Sequence, residues 1–443
     1  MTDQKAFKRR VRERMTKTGE SYTTARRQLL PAGSNEIASM DARRARAFPG
    51  LLPGCSHFGG IHSDTAILCN AFNQAGIVSP HDGKPFSEAM LFGLCGGIGF
   101  MYFVFEYKGH HPILSFVARN WSLPDEFADG ALDRTGVKST RKTSGTAAPA
   151  KKALDQVLAN GRTAICTVDP VRLPYLGLPQ AYAGNAAELI GVVGVDGDSA
   201  WIDDRCFEPS ELSLAELAAA RASYKKAKHR LVAIDGQDRS YDLAVGITEA
   251  LDATVRSFHE ARFKGYASNF GFAGLEKWRT MLVDTKDPKS WRKVFATREH
   301  AFIALQRTYE CIHYQVTPPA GGRPLYADFL EEAAEVTGKS ALAEAADALR
   351  KSAVLWDEIG ALALPDDDPT RARAREIMDC IDDTLREQGS RAGNTVATLR
   401  AELEELPKSS RIEPADAFAV FDAMAERVAA IIEIERRALE LLA

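Results

Sequence analysis

Apolar positions in the first half of the chain follow the spacing of helices in some segments and of strands in others. Apolar residues recur three or four positions apart over residues 65–74, which predicts an amphipathic helix closed by Gly76. A second helix is predicted to run from Ser87 to Phe92, and a third over residues 152–159, before Gly161. Strand-like segments lie between these helices, so residues 50–235 are predicted to form a mixed α and β domain.

Five segments of this first half have the composition of strands. Residues 100–107 are dense in aromatic side chains and valine, and a Gly-His-His-Pro turn at 109–112 leads to a partner strand at 113–117. Residues 163–168 predict another strand, and residues 189–195 and 200–202 a hairpin through Asp-Gly-Asp-Ser. Residues 127–150 are rich in Gly, Thr, Ser, Lys and Ala. We expect a mobile loop there, because this composition buries too little apolar surface to offset ordering.

After residue 240 only the helical spacing recurs. Six helices are predicted, over residues 250–262, 273–282, 291–295, 301–312, 326–337 and 341–362. A Pro-Asp-Asp-Asp-Pro break at 365–369 precedes two long helices, each interrupted or kinked, around 372–406 and 413–442. Their charged faces suggest an antiparallel pair or a contact between copies. The last helix also carries an apolar stripe that favours self-association, formed by Ala417, Val420, Phe421, Met424, Val428, Ile431 and Ile432.

Composition and charge exclude several classes of protein. The chain has 443 residues, too many for one ordinary core, so at least two domains are expected. A net charge of −4 gives no reason to expect a nucleic-acid or membrane partner, and no apolar run approaches the ~20 residues of a membrane-spanning helix. Seven cysteines without a CxxC pair argue against disulfides or a zinc site. We therefore expect a cytoplasmic protein without metal or cofactor.

The N-terminal segment, residues 1–47, is strongly basic and poor in apolar side chains. A solvated tail or exposed helix accounts for this composition. An electrostatic arm for a nucleic acid or an acidic carrier is the alternative.

Residues 59–107 hold the densest group of chemically useful side chains. The sequence His62-Ser63-Asp64-Thr65 begins the first helix, and Glu88 begins the second. Each has a structural alternative, because Ser63 or Asp64 can cap a helix and a carboxylate such as Glu88 is favoured in a first turn. A glycine cluster before the aromatic strand permits close packing or leaves backbone N–H groups free for an oxyanion; it comprises Gly93, Gly96, Gly97 and Gly99.

Several separated motifs in this order resemble a known family. The segments Gly-Ile-His-Ser-Asp-Thr-Ala at 60–66 and Ser-Glu-Ala-Met-Leu-Phe-Gly-Leu at 87–94, followed by Gly96 and Gly97, resemble the N-terminal domain of the butirosin-biosynthesis H acyltransferase family. The helical half resembles the uncharacterised domain that usually follows it, through Gly-Leu-Glu-Lys-Trp at 274–278, Gly-Gly-Arg at 321–323, the segment 326–333 and Trp356. The resemblance implies a papain-like fold that moves an acyl group from a carrier thioester to an amine.

The resemblance also implies a catalytic triad of Cys, His and Asp, and this chain departs from it. The nucleophile position falls on Ser63, the base position on Glu188 and the orienting position on Asp204. A serine hydroxyl needs a stronger base than a thiol does, and Glu188 serves only if burial raises its pKa. His62 adjoins Ser63 and is included among the candidate catalytic residues. Candidate substrate-binding residues are Asp64, Thr65, Glu88, Gly96 and Gly97.

The sequence therefore predicts an α+β protein with a papain-like domain at 48–238, a helical domain at 239–365 and a C-terminal helical extension at 366–443. The function it favours is acyl transfer from a carrier or thioester to an amine in specialised metabolism. The alternative is a non-catalytic papain-fold relative that binds a ligand or partner. The expected partners are a small-molecule amine or an acyl-carrier protein, and the chain is expected to form a homo-oligomer.

Overall fold

A computed structural model describes residues 47–120, 122–314 and 316–442. The basic segment predicted over residues 1–47 lies outside this range, apart from Ala47. Within the described residues, no helix combines the length and the apolarity needed to cross a membrane.

The first half of the described chain mixes short helices with strands. The helices are α1 (Ser63–Gln74), α2 (Glu88–Leu94), α3 (Pro124–Asp133), α4 (Ala147–Ala159) and α5 (Leu214–Ser223). The strands are β1 (Ile98–Phe105), β2 (Ile113–Arg119), β3 (Val137–Lys142), β4 (Ala164–Val168), β5 (Glu188–Asp196), β6 (Ser199–Asp203), β7 (Ser210–Ser213) and β8 (Leu231–Gln237).

The second half contains α-helices and short 3-10 turns. The α-helices are α6 (Leu243–His259), α7 (Gly271–Val283), α8 (Trp291–Val294), α9 (Arg298–His313), α10 (Arg323–Thr337), α11 (Ala341–Ala363), α12 (Pro369–Gln388), α13 (Gly393–Ser409) and α14 (Pro414–Glu440). The protein is thus an α+β fold with a helical C-terminal part, as the sequence predicted. The predicted interruption of residues 372–406 lies at Gly389, between α12 and α13. The interruption predicted for the last helix is wrong, because α14 runs unbroken from Pro414 to Glu440.

Six strands form one antiparallel sheet in the order β3-β8-β4-β5-β6-β7. The predicted hairpin is its β5–β6 pair, in which Gly191 lies opposite Asp203. Helix α1 packs on β5 so closely that a methyl group on Gly191 would contact the Ile67 side chain at 3.5 Å. Helix α1 therefore packs across the β5–β6 pair, where Asn70 donates to the Asp203 carboxylate at 2.9 Å.

The predicted mobile loop over residues 127–150 is wrong. The segment contains most of α3, all of β3 and the beginning of α4. Strand β3 pairs with β8 along its whole length, with Thr140 opposite Ala233, and Arg141 forms an ion pair with Asp133 at 2.5 Å. Backbone pairing at the edge of the sheet orders this polar segment, so it needs little apolar burial of its own.

The second, two-stranded sheet packs inside the helical half. Strands β1 and β2 are the predicted hairpin, with Tyr102 opposite Phe116. The Phe100 ring stacks on Trp278 at 5.7 Å between centroids, and Trp278 stacks on Trp356 at 5.9 Å. One apolar core consequently runs through both halves of the chain.

The apolar stripe of the last helix is covered within the same chain. Phe421, Met424, Val428 and Ile431 are fully buried, and the Phe421 ring meets Trp291 edge-on at 5.1 Å. Helix α14 packs against α7 and α11. The stripe therefore gives no argument for self-association, and the oligomeric state remains a prediction.

Candidate functional site

Ser63 is the first residue of α1. His62 is the N-cap residue, and neither Ser63 nor Asp64 accepts a capping hydrogen bond there. Within the described part of the chain, the Ser63 side chain and its backbone N–H form no hydrogen bond. Free N–H groups and the helix dipole make this position favourable for partial negative charge on a bound group.

Glu88 anchors the loop that presents Ser63. Its carboxylate accepts hydrogen bonds from the backbone N–H groups of Ile61, at 2.8 and 3.0 Å, and of His62, at 2.7 Å. The Thr65 hydroxyl donates to it at 3.2 Å. Burial raises the pKa of Glu88, and these N–H donors oppose that change. Glu88 and Thr65, predicted to bind substrate, are thus committed to the backbone around Ser63.

His62 is buried and neutral. Its ring lies edge-on between Phe92 and Phe127, both at 5.7 Å, and Nδ1 is 3.3 Å from the Thr65 hydroxyl. Burial, with the charge of Arg119 as the second cause, lowers the pKa of His62 to about 3.

Asp64 points away from Ser63 toward a buried arginine. One carboxylate oxygen lies 3.7 Å from Arg119, whose guanidinium lies over the Phe127 ring at 4.2 Å. Burial raises the pKa of Asp64 to about 6, against the opposing charge of Arg119. This predicted substrate-binding residue is 3% exposed and belongs to the interior.

Glu188 and Asp204 are brought together, and both carboxylates are engaged by Arg205. The Arg205 guanidinium donates to Glu188 at 2.6 Å and to Asp204 at 3.0 Å. The Tyr175 hydroxyl donates to the other Asp204 oxygen at 2.7 Å. Burial raises the pKa of Glu188, while the charge of Arg205 opposes that change. Both carboxylates therefore face Arg205, and within the described part of the chain neither forms a hydrogen bond with Ser63.

A small cleft of ≈ 40 Å³ lies where the two halves of the chain meet at Ser63. The first half contributes residues 60–63, Ala66 and Arg205. The helical half contributes His313, Tyr314, Val316, Thr317, Asp382 and Arg386. A water needs roughly 10–15 Å³ of such space, so the cleft holds a few waters or the polar end of a ligand.

Two residues lining this cleft have strained backbones. Arg205 has φ of 40° and Val316 has φ of 58°, a rare conformation for a residue other than glycine and especially for a β-branched one. Arg119 donates to the Val316 carbonyl at 3.0 Å, and the Ala118 N–H donates to the Thr317 hydroxyl at 3.1 Å. The segment from the helical half is therefore fastened to the end of β2, and this contact holds the strain at the cleft.

The remaining cleft residues are mostly polar, and no local motif in the sequence marks them as site residues. Arg386 donates to the Gly60 carbonyl and to Asp382, both at 2.5 Å. Burial lowers the pKa of His313 to about 4, so its imidazole is neutral at pH 7. Arg386 lies 326 residues after Gly60 in the chain, so no local pattern links the two. Arg205 differs from them, because it directly follows the candidate residue Asp204 in the chain.

Gly96 and Gly97 have packing roles in the structure. Both have positive φ, and a methyl group on Gly97 would lie 2.1 Å from the Tyr326 ring. The Gly96 carbonyl accepts from the Asn120 amide at 3.2 Å and from the Thr254 hydroxyl at 2.8 Å. They join the two halves of the chain and do not line the Ser63 cleft.

A second depression, of ≈ 200 Å³, lies beyond Asn120. It is lined by Phe100, Asn120, Ala253, Arg256, Ser257, Glu260, Ala261, Arg262 and Phe270. None of the candidate catalytic residues borders it. Its larger volume therefore does not make it the site of the predicted chemistry.

The fold defines an α+β domain followed by a helical domain. The candidate site combines Ser63, at the start of α1, with the carboxylates of Glu188 and Asp204 from the sheet region. Comparison with protein families gives the same order. Residues 62–205 match the family described as Butirosin biosynthesis protein H, N-terminal, and residues 214–399 match a domain of unknown function (DUF4872). The chain carries these two domains in succession, which confirms the family recognised from its motifs. No curated protein matches it.

Proposed function

We propose that this protein is a papain-like relative of acyltransferases that binds the polar end of an amine or acyl-thioester ligand without forming an acyl-enzyme. The pairing of both Glu188 and Asp204 with Arg205 carries this proposal. A triad needs a free base beside its nucleophile, and the group at the base position is already a salt-bridge partner. The family name links its domain to butirosin biosynthesis, which supports a role in specialised metabolism.

Binding is favoured by the composition of the cleft. Ser63 offers a hydroxyl and a backbone N–H at a helix start, and the Asp382–Arg386 ion pair places charges of both signs on the cleft wall. Since the accessible space suits only a small polar group, the rest of the ligand lies outside or the cleft widens on binding.

Acyl transfer through Ser63 is the second candidate, favoured by its hydroxyl and by the neutral His313 in the same cleft. The Ser63 oxygen would attack a thioester carbonyl, passing its proton to the imidazole, and the thiol would leave with that proton. An amine would then take the acyl group, and Ser63 would regain its proton.

Intact-protein mass spectrometry with acyl-N-acetylcysteamine thioesters separates the two candidates. We expect no mass increase on wild-type protein. Thermal shift and calorimetry with the same thioesters and with primary amines should show binding that Arg386→Ala weakens at least tenfold. Ser63→Ala removes the hydroxyl that the cleft presents, and Ser240→Ala, on an exposed turn, is its matched control. An adduct on Ser63 would support acyl transfer, and absence of both adduct and binding would contradict both functions.

A further inference from the structure

Strand β1 carries a ladder of aromatic rings on the face opposite the core. The Phe103 and Phe105 rings stack at 5.5 Å with an interplanar angle of 4°, and Phe105 and Tyr107 stack at 6.4 Å. Tyr266 meets Phe103 edge-on at 5.7 Å. We call these four residues the aromatic patch.

Three of the four residues in the aromatic patch are open to solvent. Phe105 is 39% exposed, Tyr107 57% and Tyr266 58%. Phe103 packs with the buried residues Met101, Val117 and Phe270, whereas the Phe105 and Tyr107 rings lie outside that cluster. Antiparallel strands with one solvent-facing side usually carry polar residues on it, whereas grouped exposed aromatic rings mark interaction surfaces.

Charged side chains of both signs lie around the patch. Glu106 and Lys108 flank Tyr107 in the chain, and Lys264 precedes Tyr266 by two residues. All three are exposed, and in the described part of the chain none forms an ion pair. A rim with both signs is complementary to itself after a two-fold rotation, because each acid can then face a lysine of the other copy.

We propose that the aromatic patch is the contact surface of a two-fold dimer of this chain. The Phe105 and Tyr107 rings of one protomer pack on those of its partner, and Glu106 of each faces a basic residue of the other, principally Lys108. The sequence had placed self-association on the apolar stripe of the last helix, but that stripe is buried within the chain. The proposed contact is the aromatic patch instead. Clustered aromatic side chains supply the energetic centre of such contacts.

Sedimentation velocity and light scattering of the full chain test the proposal. The wild-type protein is expected to have twice the mass of the 48.4 kDa chain. Replacing Phe105, Tyr107 and Tyr266 together by Ser should give a monomer with an unchanged circular dichroism spectrum. Val354→Ser, which removes an equally exposed apolar side chain from α11, should leave the dimer intact.

Charge reversal tests the two-fold arrangement itself. Lys108→Glu alone should weaken dimerisation at least tenfold, since Glu106 would then face an acid. The double change Glu106→Lys with Lys108→Glu should restore it. A monomeric wild-type protein, including one that associates only with a different protein, would overturn the proposal. A dimer that survives both the aromatic and the charge variants would also overturn it.

Discussion

The Arg205 guanidinium lies 2.6 Å from the Glu188 carboxylate, at the strand position where a papain-like triad would place its base. The same guanidinium lies 3.0 Å from Asp204. One arginine thus engages both sheet residues of the expected triad, while Ser63 occupies the nucleophile position at the start of α1. The positions that the resemblance assigns to a triad therefore hold a serine and two carboxylates that pair with Arg205.

Restoring the family residues should restore reactivity. Ser63→Cys combined with Glu188→His places a thiol at a helix start and an imidazole at the base position, with Asp204 beside it. We expect the double variant to gain an acyl adduct from a thioester, detected by intact mass. The Ser63→Cys single variant should react at least tenfold more slowly.

A Cys380→Ser background is the appropriate control for this experiment. Cys380 is an exposed thiol, whereas burial raises the pKa of Cys166, Cys206 and Cys311. Equal reactivity of the single and double variants would show that position 188 does not act on position 63.

Asp203 should make stability depend on pH near neutrality. Asn70 donates to one of its carboxylate oxygens at 2.9 Å, and the side chain is buried. Burial raises the pKa of Asp203 to about 7. The native state therefore binds the proton more tightly than the unfolded state, and its contribution to stability is complete below pH ~4 and is lost as the pH rises toward 7.

Asp203→Asn should flatten this part of the pH profile. When the pKa of a group in the folded state differs by one from its pKa in the unfolded state, stability changes by roughly 1.4 kcal/mol, so urea unfolding between pH 4 and pH 8 resolves the effect. The exposed turn variant Asp198→Asn should keep the wild-type slope. If the Asp203→Asn slope equals that of wild type, the carboxyl is not the titrating group.

Glu435 should be among the most sensitive positions in the helical half. It accepts two hydrogen bonds from Arg323, both at 2.8 Å, one from Ser352 at 2.6 Å and one from Trp356 at 3.2 Å. Both ionic groups are fully buried. Glu435→Ala leaves a buried charge without its partner and should lower the free energy of unfolding by about 3–5 kcal/mol in urea titrations.

Glu433→Ala, two residues away on the same helix, is the matched control. Glu433 pairs with Arg437 on the exposed face, so its loss should change stability by less than about 1 kcal/mol. Similar effects of the two variants would contradict the assignment of Glu435 to a buried network.

Gly97→Ala should test the packing role of Gly97. A methyl group there would overlap the Tyr326 ring, whereas Gly76 has similar positive φ and open space around it. Gly76→Ala should cost roughly 1–2 kcal/mol from backbone strain alone. Gly97→Ala should cost at least about 1 kcal/mol more in thermal unfolding, because overpacking adds to that strain. Equal costs would show that the contact with Tyr326 is easily relieved.

Local patterns in the sequence determined most of the elements. The 3.6-residue spacing of apolar positions located the helices after residue 240, since each buries one face against its neighbours. Turn residues between apolar runs located the β1–β2 and β5–β6 hairpins. The motifs around Ser63 and Glu88 also identified the family, because such motifs are contiguous in the chain.

Tertiary structure decided what depends on partners distant in sequence. Strand β3 is polar, and it became ordered only through pairing with β8, about ninety residues later. The stripe on α14 would be apolar whether a second copy or the same chain covered it. Only the packing showed that α7 and α11 of the same chain cover it. At the candidate site, the sequence supplied Ser63, Glu188 and Asp204, whereas the fold brought Arg205 between the two carboxylates and His313 and Arg386 into the cleft. Protonation and pairing depend on distance and burial, which a linear pattern does not contain.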